Sequence, residues 1–222
     1  MSIRDNNHFC KNFFTKDDVD FLKTTIYDYY NCTPKVLVDL EDIQQNGYPE
    51  DKIMIQPWSG RSSFNVTPFI PNNILNKLKD YVYLYKNEID WYSFLFVRYS
   101  NEFGTPFLGP HCDDHDTNFT IDYQLDSNTS WAITVEDKDY MLVNNSAVIF
   151  SPSEQVHWRN HKKFLDGEYV DMLLFYFTTK TDSKKLTFNE KREIEKKYKE
   201  KYFNNTKNKN LNTIHSNAMG VV

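Results

Sequence analysis

The hydrophobic positions of this chain change period part-way along it. In "FFTKDDVDFLKTTIYDYY", Val19, Leu22, Ile26 and Tyr29 recur at helical spacing, which predicts an amphipathic helix from about Lys16 to Tyr30. Thr15 stands three residues before Asp18 and resembles a capping box with the shorter acid. A second helical period in "NNILNKLKDYVYLYKNEI" sets Ile74, Leu78, Val82 and Tyr85 on one face. Between the two, residues 31–71 carry five prolines and two glycines and hold no long period. Short strands and loops are expected there, with "KVLVDL" the best strand.

From Trp91 the period falls to two. "WYSFLFVRYS", "NFTIDYQL", "SWAITVE", "YMLVNN", "SAVIFS", "QVHWR" and "VDMLLFYF" are rich in aromatic and β-branched residues. Turn-type stretches such as "DSN", "EDKD" and "LDG" separate them. Strands at this spacing predict an all-β sandwich or barrel, and two helices ahead of them give an α+β fold with the helices on one face. After Lys180 the composition shifts. Residues 184–209 hold ten Lys/Arg against four Asp/Glu, Thr187 and Glu190 form a capping box, and Ile194, Tyr198 and Tyr202 are spaced by four. That pattern predicts a helix with a narrow apolar stripe and a solvated basic face, then a flexible tail. Residues 1–182 would form the main domain and 183–222 an appendage that the chemistry does not need. Its stripe would either dock on the barrel or pair two copies as a homodimer.

Composition narrows the function classes. A length of 222 residues, 40% hydrophobic and 16% aromatic, suits one well-buried domain. A net charge of −5 argues against a protein that wraps nucleic acid. Cys10, Cys32 and Cys112 are scattered and odd in number, so they read as free thiols of a reducing compartment. The polar start "MSIRDNNHFCKNFF" shows no signal peptide, and no run of about 18 apolar residues offers a membrane span. An intracellular, cytoplasmic protein is expected.

The chemistry concentrates in "LGPHCDDHD". His111, Asp113 and His115 alternate, so an extended strand would place them on one face. An imidazole and a carboxylate two apart can both reach one metal ion. A third ligand would come from "VHWRNH", which offers His157 and His161. Two histidines and one carboxylate on one side of a metal, with open positions opposite, suit non-haem Fe(II). The plainer alternative is a polar turn with one structural histidine.

The order strand, HxD, several strands, distal histidine, closing strand resembles the Fe(II)/2-oxoglutarate-dependent oxygenases. It runs here as "VRYSNEFGTPFLGPHCD", "SWAIT", "NNSAVIF" and "VHWRNHKKFLDGEYVDMLLFYF", over roughly Lys11 to Lys180. The resemblance implies a double-stranded β-helix (jelly-roll, cupin-like) core with Fe(II) as metal and 2-oxoglutarate as cosubstrate. It implies His111, Asp113 and His157 as metal ligands and catalytic centre, and a small-molecule or peptide substrate. His115 and His161 fall off the pattern. Members that transfer halide have a small residue at the position of Asp113, so the carboxylate implies hydroxylation or a related oxidation.

One departure stands out. The family usually places an Arg or Lys about ten residues after the distal histidine, to pair the far carboxylate of 2-oxoglutarate. Here that window reads "DGEYVD". Arg159, two residues after His157 and so on the same strand face, is the best substitute, because a buried carboxylate needs a cation and an arginine fork suits it. An ion pair between Arg159 and Asp171 is the competing expectation. Arg98, Lys162 and Lys163 are further cations nearby. Tyr99 matches a family position that assists the cosubstrate, and Thr120 and Gln124 are expected as hydrogen-bond donors to it. Trp131 is expected in the core. Two other classes compete: a cupin-like metalloprotein without 2-oxoglutarate, and a non-catalytic β-barrel binding module. The intact triad disfavours the second, while the missing cation keeps the first open.

Overall fold

The structure, a computed structural model, describes residues 7–39, 51–85, 88–113, 117–180 and 186–207. Its strands are β1 (His8–Lys11), β2 (Lys35–Leu37), β3 (Ile53–Gln56), β4 (Arg61–Asn65), β5 (Ile89–Ser100), β6 (Leu108–His111), β7 (Phe119–Ser127), β8 (Ile133–Val135), β9 (Lys138–Tyr140), β10 (Ser146–Phe150), β11 (His157–Arg159) and β12 (Tyr169–Thr179). The helices are α1 (Lys16–Cys32), α2 (Asn72–Tyr85) and α3 (Phe188–Lys207). An eight-stranded sheet in the order β1-β10-β7-β12-β5-β4-β3-β2 faces a four-stranded sheet in the order β6-β11-β8-β9. Two opposed sheets, with α1 and α2 on the outer face of the large one and α3 against β6 and β11 of the small one, make the expected double-stranded β-helix. No helix among the described residues is long and apolar enough to cross a membrane.

Period-two alternation divides the core. On β12, Leu173, Phe175 and Phe177 face α1 and α2, where they meet Leu22, Ile26, Ile74, Leu78 and Val82. Val170 and Met172 face the other way, into the space between the sheets, with Val97, Tyr99, Ile133, Val135 and Phe150. Each such apolar side chain taken from water contributes about 1.5–3 kcal/mol, which fixes the register against a one-residue slip. Both helices begin as the pattern predicts. Thr15 and Asp18 exchange the two hydrogen bonds of a capping box, and α1 runs two residues past the expected Tyr30. Ile74, Leu78 and Val82 are buried on α2.

Some local expectations need correction. "KVLVDL" is a strand only over Lys35–Leu37, paired in parallel with β3. "YMLVNN" is strand only at Tyr140. There the Ser146 hydroxyl bonds both backbone groups of Val143, and Asn145 takes a positive φ of 62°. This turn leaves Met141 and Val143 exposed. The strand carrying the HxD motif stops at His111. The C-terminal helix starts at the Thr187–Glu190 box, and its stripe of Ile194, Tyr198 and Tyr202 packs on Val156, Trp158, Phe107 and Cys112. The face is less solvated than its charge suggests: Lys191 is buried. The expected tail beyond 207 lies outside the described residues.

Candidate metal centre

Two strands of the small sheet bring the histidines together. β6 and β11 run antiparallel with His111 directly opposite His157, and their rings approach to 4.3 Å between centroids. Asp113 lies just past the end of β6. Its Oδ1 stands 3.3 Å from His111 Nε2 and 3.5 Å from His157 Nε2. One donor atom from each of the three lies within 4.8 Å of the others. His161 is not part of this cluster, and His115 lies outside the described residues.

The donor set fits a divalent metal. The Nδ1 of His111 lies 2.8 Å from the Gly109 carbonyl oxygen, and that of His157 lies 3.2 Å from the Gln155 carbonyl oxygen. A carbonyl oxygen only accepts, so Nδ1 of the neutral ring is the protonated nitrogen. Both Nε2 atoms then face the shared centre, and in the neutral rings their lone pairs point there, the arrangement a metal-ligating histidine requires; when His111 is protonated its Nε2–H donates to Asp113 instead. Burial, followed by the neighbouring His111, pulls the His157 imidazole down to about 4. Burial would raise the Asp113 carboxyl, but His157, His111 and Arg61 outweigh it and bring it down to about 2. His157 is therefore neutral and Asp113 ionised near pH 7. Burial lowers His111 too, but the Asp113 hydrogen bond and charge override it and leave that ring raised.

A narrow cavity opens beside the three ligands. Arg159, Tyr99 and Met172 line it, together with Asp122, Arg61 and Tyr176. Arg159 is 2% exposed. It donates to the Trp131 carbonyl oxygen at 2.5 Å and to Met172 Sδ at 3.3 Å, and its guanidinium lies 5.0 Å from the Trp131 ring. Among the described residues it makes no ion pair. The Arg159–Asp171 pair does not form, because Asp171 lies on the opposite face of β12 and is held there by Arg98 Nε and Nη2, each at 2.7 Å. That contact also turns Arg98 away from the cavity. Lys162 is spent on Thr129 and the Ser130 carbonyl oxygen, and Lys163 is exposed. Tyr99 is buried edge-on to Trp131, which is itself in the core as expected.

The two expected donors on β7 do not reach the cavity. Thr120 Oγ1 donates to Asp122 Oδ1 at 3.0 Å. Gln124 is further along the strand, bonded to Ser127 and Asn144 at a separate surface depression. The residue between them was missed. Asp122 shares the alternating face of Thr120 and Gln124, and this same period-two rule could have found it. Burial, reinforced by Asp113 and opposed by Arg159, pushes its carboxyl up to about 7. Arg61 was also missed. It sits opposite Tyr99 in the β4–β5 ladder, a pairing that no local sequence pattern announces. Two glycines hold this wall in place. Gly60 and Gly104 have φ of 56° and 135°, and a Cβ on either would collide with backbone at Pro106 or Pro57. The β3–β4 turn thereby closes against the segment leading into β6.

No family model and no curated protein matches the chain. Solved structures do. HygX from Streptomyces hygroscopicus, with nickel and 2-oxoglutarate bound, is similar over 82% of this chain and 85% of its own, at 8% identity and a TM-score of 0.52. A prolyl hydroxylase from Trichoplax adhaerens, in complex with a peptide fragment of the hypoxia inducible factor oxygen degradation domain, is similar over 78% and 85%, at 13% identity and 0.51. A prolyl-4-hydroxylase from Pseudomonas putida is similar over 79% and 93%, at 10% identity and 0.50. At these identities the likeness is one of fold.

Proposed function

We propose that this protein is an Fe(II)- and 2-oxoglutarate-dependent oxygenase acting on a small-molecule or peptide substrate. The observation that carries the reading is the placement of three ligand atoms within 4.8 Å of one another, at the mouth of a cavity that also holds a buried arginine outside any ion pair of the described residues. His111 Nε2, Asp113 Oδ1 and His157 Nε2 would hold the metal. With iron, 2-oxoglutarate and O2 bound there, the chemistry supplied is oxidation of an unactivated C–H bond, with succinate and CO2 released.

The remaining roles belong to the chain. Arg159 binds the far carboxylate of the cosubstrate by charge-assisted hydrogen bonds, which are the strong ones where water is excluded. Its guanidinium is already oriented by the Trp131 carbonyl oxygen and the Met172 sulfur, so little freedom is lost on binding. Tyr99 lies beside Arg159, its ring 5.9 Å from the guanidinium carbon, and offers a phenol on the same wall. Leu108, Met172 and Leu174 keep water from the ion pair so formed. Burial pushes the Asp122 carboxyl up to about 7, so near neutral pH it carries only part of its charge and repels the incoming carboxylate less than an ordinary aspartate would. The peptide in the Trichoplax structure supports including peptides among the substrates to be tried.

The test is calorimetric binding of N-oxalylglycine, an inert 2-oxoglutarate analogue, to Fe(II)-loaded protein without oxygen. Succinate release is then followed over a panel of peptides and small molecules. Metal-loaded protein that ignores the analogue would remove 2-oxoglutarate from the reaction.

A further inference from the structure

Asp113 holds a position that the sheet cannot secure. β6 ends at His111, so the backbone groups of Cys112 and Asp113 have no ladder partner on β11. Buried backbone groups without partners are costly, and partners here come from elsewhere in the chain. The Asp113 amide donates to the Pro152 carbonyl oxygen at 2.9 Å. The Asp113 carbonyl oxygen accepts from Lys191 Nζ at 2.8 Å, and the Cys112 amide donates to Glu195 Oε1 at 3.1 Å. Lys191 and Glu195 are one turn apart on α3, and Lys199 in turn pairs with Glu195 at 3.0 Å. The same helix seats Tyr198 against Trp158, ring centroids 5.6 Å apart, and Trp158 directly follows His157. The strip of α3 that looks like a surface appendage therefore holds the strand ends bearing Asp113 and His157.

We propose that α3 is a positioning element of the metal centre, in which Lys191 and Glu195 set where the Asp113 carboxylate stands. This rests on the metal reading of the site. Neither residue is one of the ligands; each acts through backbone beyond the strand end, which the Asp113 amide's bond to Pro152 anchors at a different point. A metal ligand on a chain segment just past a strand end loses affinity when that segment loosens, because its ordering must then be supplied on binding.

Co(II), bound in place of Fe(II) in the full-length protein, gives the readout through its ligand-field absorption and its titrated affinity. Lys191→Met combined with Glu195→Leu should weaken Co(II) binding by about tenfold to a hundredfold, the range seen when groups supporting a metal ligand are removed, and should alter the absorption envelope. Glu195→Gln keeps an acceptor oxygen and should return both readings to the wild type, as should Lys196→Ala on the exposed face. Hydrogen exchange at the Cys112 amide should quicken in Glu195→Leu and not in Glu195→Gln, a measurement that needs only a folded variant. Wild-type affinity and spectrum in the double variant, or unchanged exchange in Glu195→Leu, would reduce α3 to a cover and overturn the proposal. Wild-type protein that takes up no Co(II) would overturn the metal reading and this inference together.

Discussion

Arg98 and Asp171 close on each other through two hydrogen bonds of 2.7 Å, on the face of the large sheet that looks away from the cavity beside His111, Asp113 and His157. Asp171 is fully buried and also accepts from Tyr27 at 2.8 Å. One residue along on either strand, Tyr99 and Met172 look into the cavity. The pair thus separates Arg98, which is committed to a buried ion pair, from Arg159, which lines the cavity and makes no ion pair among the described residues. Arg98→Met should cost about 3–5 kcal/mol of stability, as removal of one partner of a buried pair does, with a lowered denaturation midpoint. N-oxalylglycine affinity of the folded fraction should stay at the wild-type value. A variant that keeps its midpoint but loses the analogue would reverse the assignment.

Arg159→Met is the complementary substitution. If Arg159 pairs the far carboxylate, analogue affinity should fall about tenfold to a few hundredfold, equivalent to roughly 1.5–3 kcal/mol for a charge-assisted hydrogen bond. Fe(II) affinity should hold, because the guanidinium is not a ligand. Calorimetry with the metal and then with the analogue separates the two.

The ligand set is tested by single substitutions. His111→Ala, Asp113→Ala and His157→Ala should each abolish tight Co(II) binding, while His161→Ala should leave it near the wild-type value, since only the first three bring donor atoms together. Loss of the metal in His161→Ala with retention in His157→Ala would move the distal ligand.

These residues differ in how legible they were. His111 and Asp113 could be read because a spacing of two in extended chain puts both side chains on one side, whereas His157 stands out from His161 only by the resemblance to the HxD–distal histidine order. Arg159 followed from the same alternation, two residues beyond His157. The window "DGEYVD", where the resemblance leads one to expect a cation, holds nothing basic, and Met172, which touches Arg159, directly follows it on the closing strand. Arg61 was not legible, since only the β4–β5 register brings it opposite Tyr99. Gln124 was misplaced because alternation gives a face and not a distance along the strand. The part played by Lys191 and Glu195 was hidden for another reason. A run of lysines and glutamates looks solvated, and nothing in it shows that two of them meet backbone beyond the end of β6.

Asp122 gives the cavity a pH dependence whose sign can be worked out. Its carboxyl, ordinarily at 3.8, is pushed up to about 7 in the folded, ligand-free protein by burial first and by Asp113 second. Below about pH 4 it is neutral whether the chain is folded or not, and it contributes no difference. As pH rises from there to about 7 the unfolded chain ionises while the folded one resists, so the fold loses stability over that window. Above about pH 7 the loss is complete and constant. Asp122→Asn removes the titration. Its denaturation midpoint should therefore climb relative to the wild type between about pH 4 and pH 7, by an order of several degrees, and then hold level. Binding should follow the same charge. Ionised Asp122 sets a negative charge in the cavity that Arg159 lines, so wild-type affinity for N-oxalylglycine should fall as pH rises through the range in which Asp122 ionises and that of Asp122→Asn should not. A midpoint difference that ignores pH, with parallel binding curves for the two proteins, would show that Asp122 is already ionised in the fold and that the cavity tolerates its charge.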